Sequence, residues 1–131
     1  MAQFDFDNNG AIDLVINHLD RPVALLRNQT RSDGQWIQLE LIGTQCERDA
    51  IGAKVLVTTN RGSLSTWMTA GDGYFVTDQP ILDLGLGVGA MLQSIEVTWP
   101  TGEVQVWSNV TVNKRYLATQ GQDELWEREL K

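Results

Sequence analysis

Along most of this chain hydrophobic and polar residues alternate with a period of two. Over 36–41, Ile37, Leu39 and Leu41 point one way while Gln38 and Glu40 point the other. Over 94–99 the same pattern sets Ile95, Val97 and Trp99 against Ser94, Glu96 and Thr98, and Val55 and Val57 alternate with Lys54 and Thr58. Val104 and Val106, interleaved with Glu103 and Gln105, predict a further strand with its valines on the core side. A strand turns successive side chains to opposite faces, so each segment reads as a strand with one face on a core and one in water. Segments 14–17 and 23–26, mostly apolar, predict a hairpin near the start.

Turn chemistry joins these strands. Trp99-Pro100-Thr101-Gly102 puts a fixed φ at Pro100 and permits φ > 0 at Gly102. Asn60-Arg61-Gly62 likewise separates the 55–59 strand from an expected strand at 64–69. No long helical pattern interrupts them, which predicts an all-β fold, an antiparallel β-sandwich or a distorted barrel. The tail 122–131 is the one helix candidate, through Leu125, Trp126 and Leu130. The polar stretch 28–34, Asn-Gln-Thr-Arg-Ser-Asp-Gly, separates an opening unit from the main β region.

Composition narrows the function classes. With 131 residues the chain can bury about two-thirds of its unfolded surface and needs no disulfide. The single Cys46 has no partner in the chain, a usage compatible with a reducing compartment. Seventeen acidic against ten basic residues give a formal charge of −7. Nucleic-acid affinity rests on cationic neutralisation of phosphate, so this field argues against nucleic acid and favours metal cations or cationic partners. No apolar stretch approaches the length of a membrane span, and 1–10 shows neither the basic start nor the apolar run of a signal peptide.

The most specific local signal is Asp5-Phe6-Asp7-Asn8-Asn9-Gly10-Ala11-Ile12-Asp13. Oxygen-bearing side chains at loop positions one, three, five and nine, with Gly at six, suit a hard cation such as Ca2+. Asp5, Asp7, Asn9 and Asp13 are the expected side-chain ligands, with the Ala11 carbonyl as the backbone ligand. Position twelve of an EF-hand would be a bidentate Glu, but here it is Ile16, and 14–16 reads as a strand. The expected affinity is therefore weak, on the order of 10⁻⁴ to 10⁻³ M. Without metal, the same residues make an Asx-rich turn.

Residues 5–28, including Asp13-Leu14-Val15-Ile16-Asn17 and Leu25-Leu26-Arg27-Asn28, resemble the last FG-GAP (VCBS-like) repeat of calcium-binding propeller proteins. From about 28 to 120 the chain resembles the ASPIC/UnbV domain that often follows such repeats. The motifs that carry this are Arg48-Asp49-Ala50-Ile51-Gly52-Ala53-Lys54, Gly71-Asp72-Gly73-Tyr74, Gly85-Leu86-Gly87 and Trp99-Pro100-Thr101-Gly102. Glu47 stands where that family usually has Asn, and Leu84 where it usually has an aromatic. The resemblance divides the chain into a truncated repeat at 1–28, a β domain at 29–121 and a short tail at 122–131. One repeat cannot bury its own faces. The opening unit is expected to dock on the main domain as extra strands, with a homodimer as the second arrangement. The resemblance also implies an extracellular or periplasmic setting for a full-length parent and no established chemistry.

The remaining features weigh as follows. Gly85-Leu86-Gly87-Val88-Gly89 lacks the βαβ frame of a dinucleotide fingerprint and reads as a β-turn or bulge. Arg48, Asp49, Asp72 and Tyr74 form a candidate polar site, although Arg48-Asp49 also reads as an ion pair or loop cap. His18 belongs in a solvent-facing turn, and one His with one Cys supports neither a dyad nor zinc. Five tryptophans invite a glycan-binding reading against a core one, with Trp99 core-facing and Trp36 exposed or covered by the opening hairpin. The leading expectation is a non-catalytic binding or assembly module with a protein or glycan ligand. The alternatives are a glycan hydrolase, which needs two carboxyls facing across a pocket, and a glycan-binding domain, which needs coplanar exposed indoles.

Overall fold

The computed structural model of the protein describes residues 1–30, 33–71, 73 and 76–128. Among them the structure is all-β, with no helix and no closed barrel, as a β-sandwich requires. The first three strands, β1 (Ala2–Phe4), β2 (Asp13–Ile16) and β3 (Ala24–Leu26), form an antiparallel sheet in chain order. The sandwich follows from β4 (Gly34–Ile42), β5 (Lys54–Thr59), β6 (Gly62–Trp67), β7 (Ile81–Val88), β8 (Leu92–Thr98), β9 (Val104–Ser108), β10 (Lys114–Thr119) and β11 (Leu125–Arg128). One layer runs β11-β10-β4-β7 and the other β6-β5-β8-β9. All pairings are antiparallel except β10 with β4.

The core lies where the alternating faces of the two layers meet. Ile37, Leu39 and Leu41 of β4 pack with Val55, Val57, Ile95 and Val97 of β5 and β8, closed off by Trp99, Trp107 and Tyr116. Register places Val55 opposite Val97 and Val57 opposite Ile95, so the inward face of the central β5–β8 pair is aliphatic. The two expected turns form. Gly102 N donates to the Trp99 carbonyl at 2.8 Å with φ +89°, and Thr59 pairs with Gly62 around Asn60–Arg61.

Three expectations are corrected. Over its described residues the tail is not helical: Leu125–Arg128 pairs antiparallel with β10, and Leu125 packs on the core, so a free sheet edge captures it as a strand. Leu130 lies outside the described residues. On β9 the inward positions are Gln105 and Trp107, opposite Val97 and Ile95, which leaves Val104 and Val106 facing water. Trp107 is held in place by its indole N–H, which donates to the Asp123 carbonyl at 2.8 Å. The expected strand at 64–69 ends at Trp67. The glycine-rich segment belongs largely to strand β7 and carries the expected bulge: Gln35 pairs with Gly87 and Trp36 with Gly85, which leaves Leu86 as the extra residue.

Buried Gln120 stitches three loops. Its Oε1 accepts from the Thr44 and Gln45 N–H groups at 3.2 and 3.1 Å, and its Nε2 donates to Thr101 Oγ1 and Glu103 Oε2. Tyr116 OH donates to the Thr111 carbonyl at 2.9 Å and accepts from the Thr111 N–H at 3.2 Å, which pins the approach to β10.

Candidate metal centre

The acidic loop connects β1 to β2 and is organised by its own carboxylates. Asp5 follows β1 directly, and its Oδ1 and Oδ2 accept from the Asn9 and Gly10 N–H groups at 3.0 and 2.8 Å. Asn8 and Gly10 take φ of 56° and 83°, and this left-handed backbone curls the loop. Asp13, the first residue of β2, is fully buried. Its Oδ2 accepts from Phe6 N–H at 2.8 Å and its Oδ1 from Asn28 N–H at 2.6 Å, so it ties the loop to the chain beyond β3.

Asp5, Asp7 and Asp13 each offer one carboxylate oxygen, and these lie within 4.8 Å of one another. Asp7 buries both of its oxygens without accepting a hydrogen bond, and its cationic neighbour is the Arg27 guanidinium, with which it forms an ion pair. Three converging anionic oxygens, one carboxylate otherwise without a donor, fit a hard cation. The Asn9 side chain differs in that its Oδ1 accepts from Ala11 N–H at 2.7 Å, closing an Asx turn. The Asx turn therefore forms within the same loop that brings the three carboxylates together.

The loop does not stand alone. It rests on the outer face of the β4–β7 pair, where Gly10 lies so close to Trp36 that a Cβ would overlap the indole at Cε2, Nε1 and Cδ2. Gln38 is buried and donates through Nε2 to Asp5 Oδ2 at 2.9 Å and to Asp83 Oδ1 at 2.8 Å. Partial desolvation of its carboxyl, on a residue whose surface otherwise stays open to water, pushes Asp83 up to about 6, aided by the Asp5 charge and opposed by the Gln38 hydrogen bond and by Arg115. A further tie joins Gln3 N–H to Asp78 Oδ1 at 2.7 Å. Sequence reasoning missed Gln38, Asp83 and Arg27. Period-two alternation assigns Gln38 to water, and only the indole two residues earlier on the same face hints that something covers it.

Residues 43–125 match the family described as ASPIC and UnbV. The chain belongs to the ASPIC and UnbV family. It is also similar to cartilage acidic protein 1 from Homo sapiens, 31% identical over 104 residues that cover 76% of this chain and 15% of that protein. The Xenopus tropicalis protein of that name is 30% identical over 107 residues, covering 79% of this chain and 16% of that protein. The chain thus spans about a sixth of the length of these relatives.

Within the matched ASPIC/UnbV residues, Arg48 and Asp49 lie in the connection from β4 to β5. There the Arg48 carbonyl accepts from Gly43 N–H at 2.8 Å, and Asp49 N–H donates to Glu47 Oε1 at 3.0 Å. Glu47 also accepts from Ile51 N–H at 3.4 Å, so Glu47 acts as the loop cap. Asp72 and Tyr74 lie outside the described residues. His18 is exposed in the β2–β3 loop. The Cys46 thiol donates to the Glu47 carbonyl and to Gln120 Oε1, and partial burial and the Glu47 charge push it up, away from nucleophilic use. Exposed Trp67 and Trp126 belong to different layers of the sandwich and make no common platform. Among the described residues no helix is long and apolar enough to cross a membrane.

Proposed function

We propose that this chain is a non-catalytic binding or assembly module of extracellular type, stabilised by a weakly held calcium ion in the 5–13 loop. The observation that carries this reading is the convergence of the Asp5, Asp7 and Asp13 carboxylates within 4.8 Å. Asn9 and the Ala11 carbonyl complete the proposed donor set. The opening sheet is then an FG-GAP/VCBS-like repeat docked on the ASPIC/UnbV domain. Its support is the Gly10–Trp36 contact and the Asp5–Gln38 hydrogen bond. The relatives' name speaks of an acidic protein of cartilage, and the −7 charge suits a comparable setting with a protein or glycan partner. The opening sheet carries Leu14, Ile16 and Leu26 on one face and Phe4, Val15 and Leu25 on the other, so a second copy is the next candidate to cover it.

When bound, calcium supplies positive charge where three carboxylates repel one another, and this chain's part is to hold those oxygens in one place. The test is thermal unfolding in calcium and in chelator at matched ionic strength. At ten times Kd, a ligand that binds only the folded state adds about 1.4 kcal/mol, a shift of roughly 3–6 °C for a domain of this size. Asp5→Ala together with Asp7→Ala abolishes that rise. An unmoved wild-type melt would sink the calcium reading, and a robust turnover by the chain alone would sink the non-catalytic one.

A further inference from the structure

Two buried glutamines differ in a telling way. Gln120 uses both ends of its amide, whereas Gln38 places its two N–H bonds on two carboxylates and leaves Oε1 buried without a partner. An amide facing two carboxylates has only one workable orientation, nitrogen toward both. Its Nε2 spans Asp5 of the acidic loop and Asp83 of β7, 2.9 and 2.8 Å away. Gln38 sits opposite Asp83 on one side and Arg115 on the other, and the Arg115 guanidinium lies 3.5 Å from Glu40. The acidic loop and the sandwich thus share one hydrogen-bond donor.

Resting on the calcium reading above, we infer that Gln38 is the positioning residue that couples cation binding in the loop to the stability of the sandwich. The Asn9 and Gly10 N–H groups hold Asp5 from within the loop, and Gln38 is the donor from the sandwich that holds its Oδ2 and so sets how Asp5 meets Asp7 and Asp13. Without it, Asp5 and Asp83 face each other with no donor between them. Residues that orient ligating carboxylates commonly shift metal affinity tenfold or more, although they do not touch the metal.

The test uses the full chain, with CaCl2 as the probe, at pH 8. Gln38→Met keeps the length of the side chain and removes both hydrogen bonds. Calorimetric calcium affinity falls about tenfold, and the calcium-induced rise in melting temperature shrinks. Gln38→Glu puts a third carboxylate between Asp5 and Asp83. Its melt in chelator falls below wild type, and its rise on adding calcium exceeds that of wild type. Gln120→Met, a buried glutamine remote from the loop, lowers the melt and leaves calcium affinity unchanged, which separates coupling from lost packing. If wild type binds calcium and both Gln38 variants match its affinity and its rise, or if Gln120→Met loses affinity as Gln38→Met does, the coupling is overturned and the metal site stands. If wild type binds no calcium, the metal reading fails and the coupling fails with it.

Discussion

A Cβ on Gly10 would overlap the Trp36 indole, and the residue's φ of +83° is one that side chains resist. Both effects act on Gly10→Ala, for which we expect a loss of about 2–4 kcal/mol in urea unfolding. Trp36→Ala in the same chain removes the overlap but not the backbone strain, so the double variant should recover about 1 kcal/mol or more of that loss. Strict additivity would mean that Gly10 matters for its backbone alone. Arg27 poses the opposite question. Its guanidinium pairs with Asp7 while its own side chain is 57% exposed. An ion pair so open to water contributes about 0–1 kcal/mol. Arg27→Gln should therefore cost little in chelator while removing the positive charge that competes for Asp7. Its calcium affinity should rise severalfold by calorimetry, and a fall would mean that Arg27 helps build the site.

At the scale of elements, the opening sheet and the sandwich are held together differently from their interiors. The sandwich shares an aliphatic core, whereas β1–β3 meet it through Asp5–Gln38, Gln3–Asp78 and the Gly10–Trp36 contact. Few buried apolar contacts mean a low free energy of local opening. Amides of β1–β3 should exchange with deuterium before those of β4, β5 and β8, and calcium should slow the first group selectively. Uniform exchange would make the chain one cooperative unit. This difference also governs what the sequence discloses. Strands β4, β5 and β8 are read readily because their inward residues are aliphatic and their outward ones mostly polar. Strand β7 hides behind Gly85 and Gly87, whose missing side chains erase the alternation. Strand β9 is read with its faces inverted, because a valine pair outweighs a single Trp107 and an inward Gln105. The tail reads as a helix because Leu125 and Trp126 are decided by a neighbouring edge, β10, that no local pattern contains. The acidic loop is legible because its spacing is itself the constraint. Gln38 and Asp83 are not, since their roles exist only after two distant segments meet.

The whole molecule carries a charge of −7 and places Asp83 across the Gln38 amide from Asp5. Its stability must therefore depend on pH through that seam. The Asp83 carboxyl titrates at about 6 in the fold, against 3.8 for an unperturbed aspartate, so the folded state holds its proton to higher pH than the unfolded chain does. The favourable contribution is fully present below about pH 4 and is lost as pH rises through 6. At neutral pH the ionised Asp83 therefore opposes folding. Water reaches this residue, which is exposed on the sheet face, so screening cuts the cost to about 1 kcal/mol. Asp83→Asn keeps an oxygen for Gln38 Nε2 and discards the charge. We expect it to stabilise the chain by about 1 kcal/mol at pH 7 and by nothing at pH 4, read from urea midpoints across that range. The same substitution removes negative charge behind the acidic loop, so its stability gain should be smaller in saturating calcium, where a cation already offsets Asp5. A gain of equal size at pH 4 and pH 7 would show that packing, not charge, limits the fit between the loop and the sandwich.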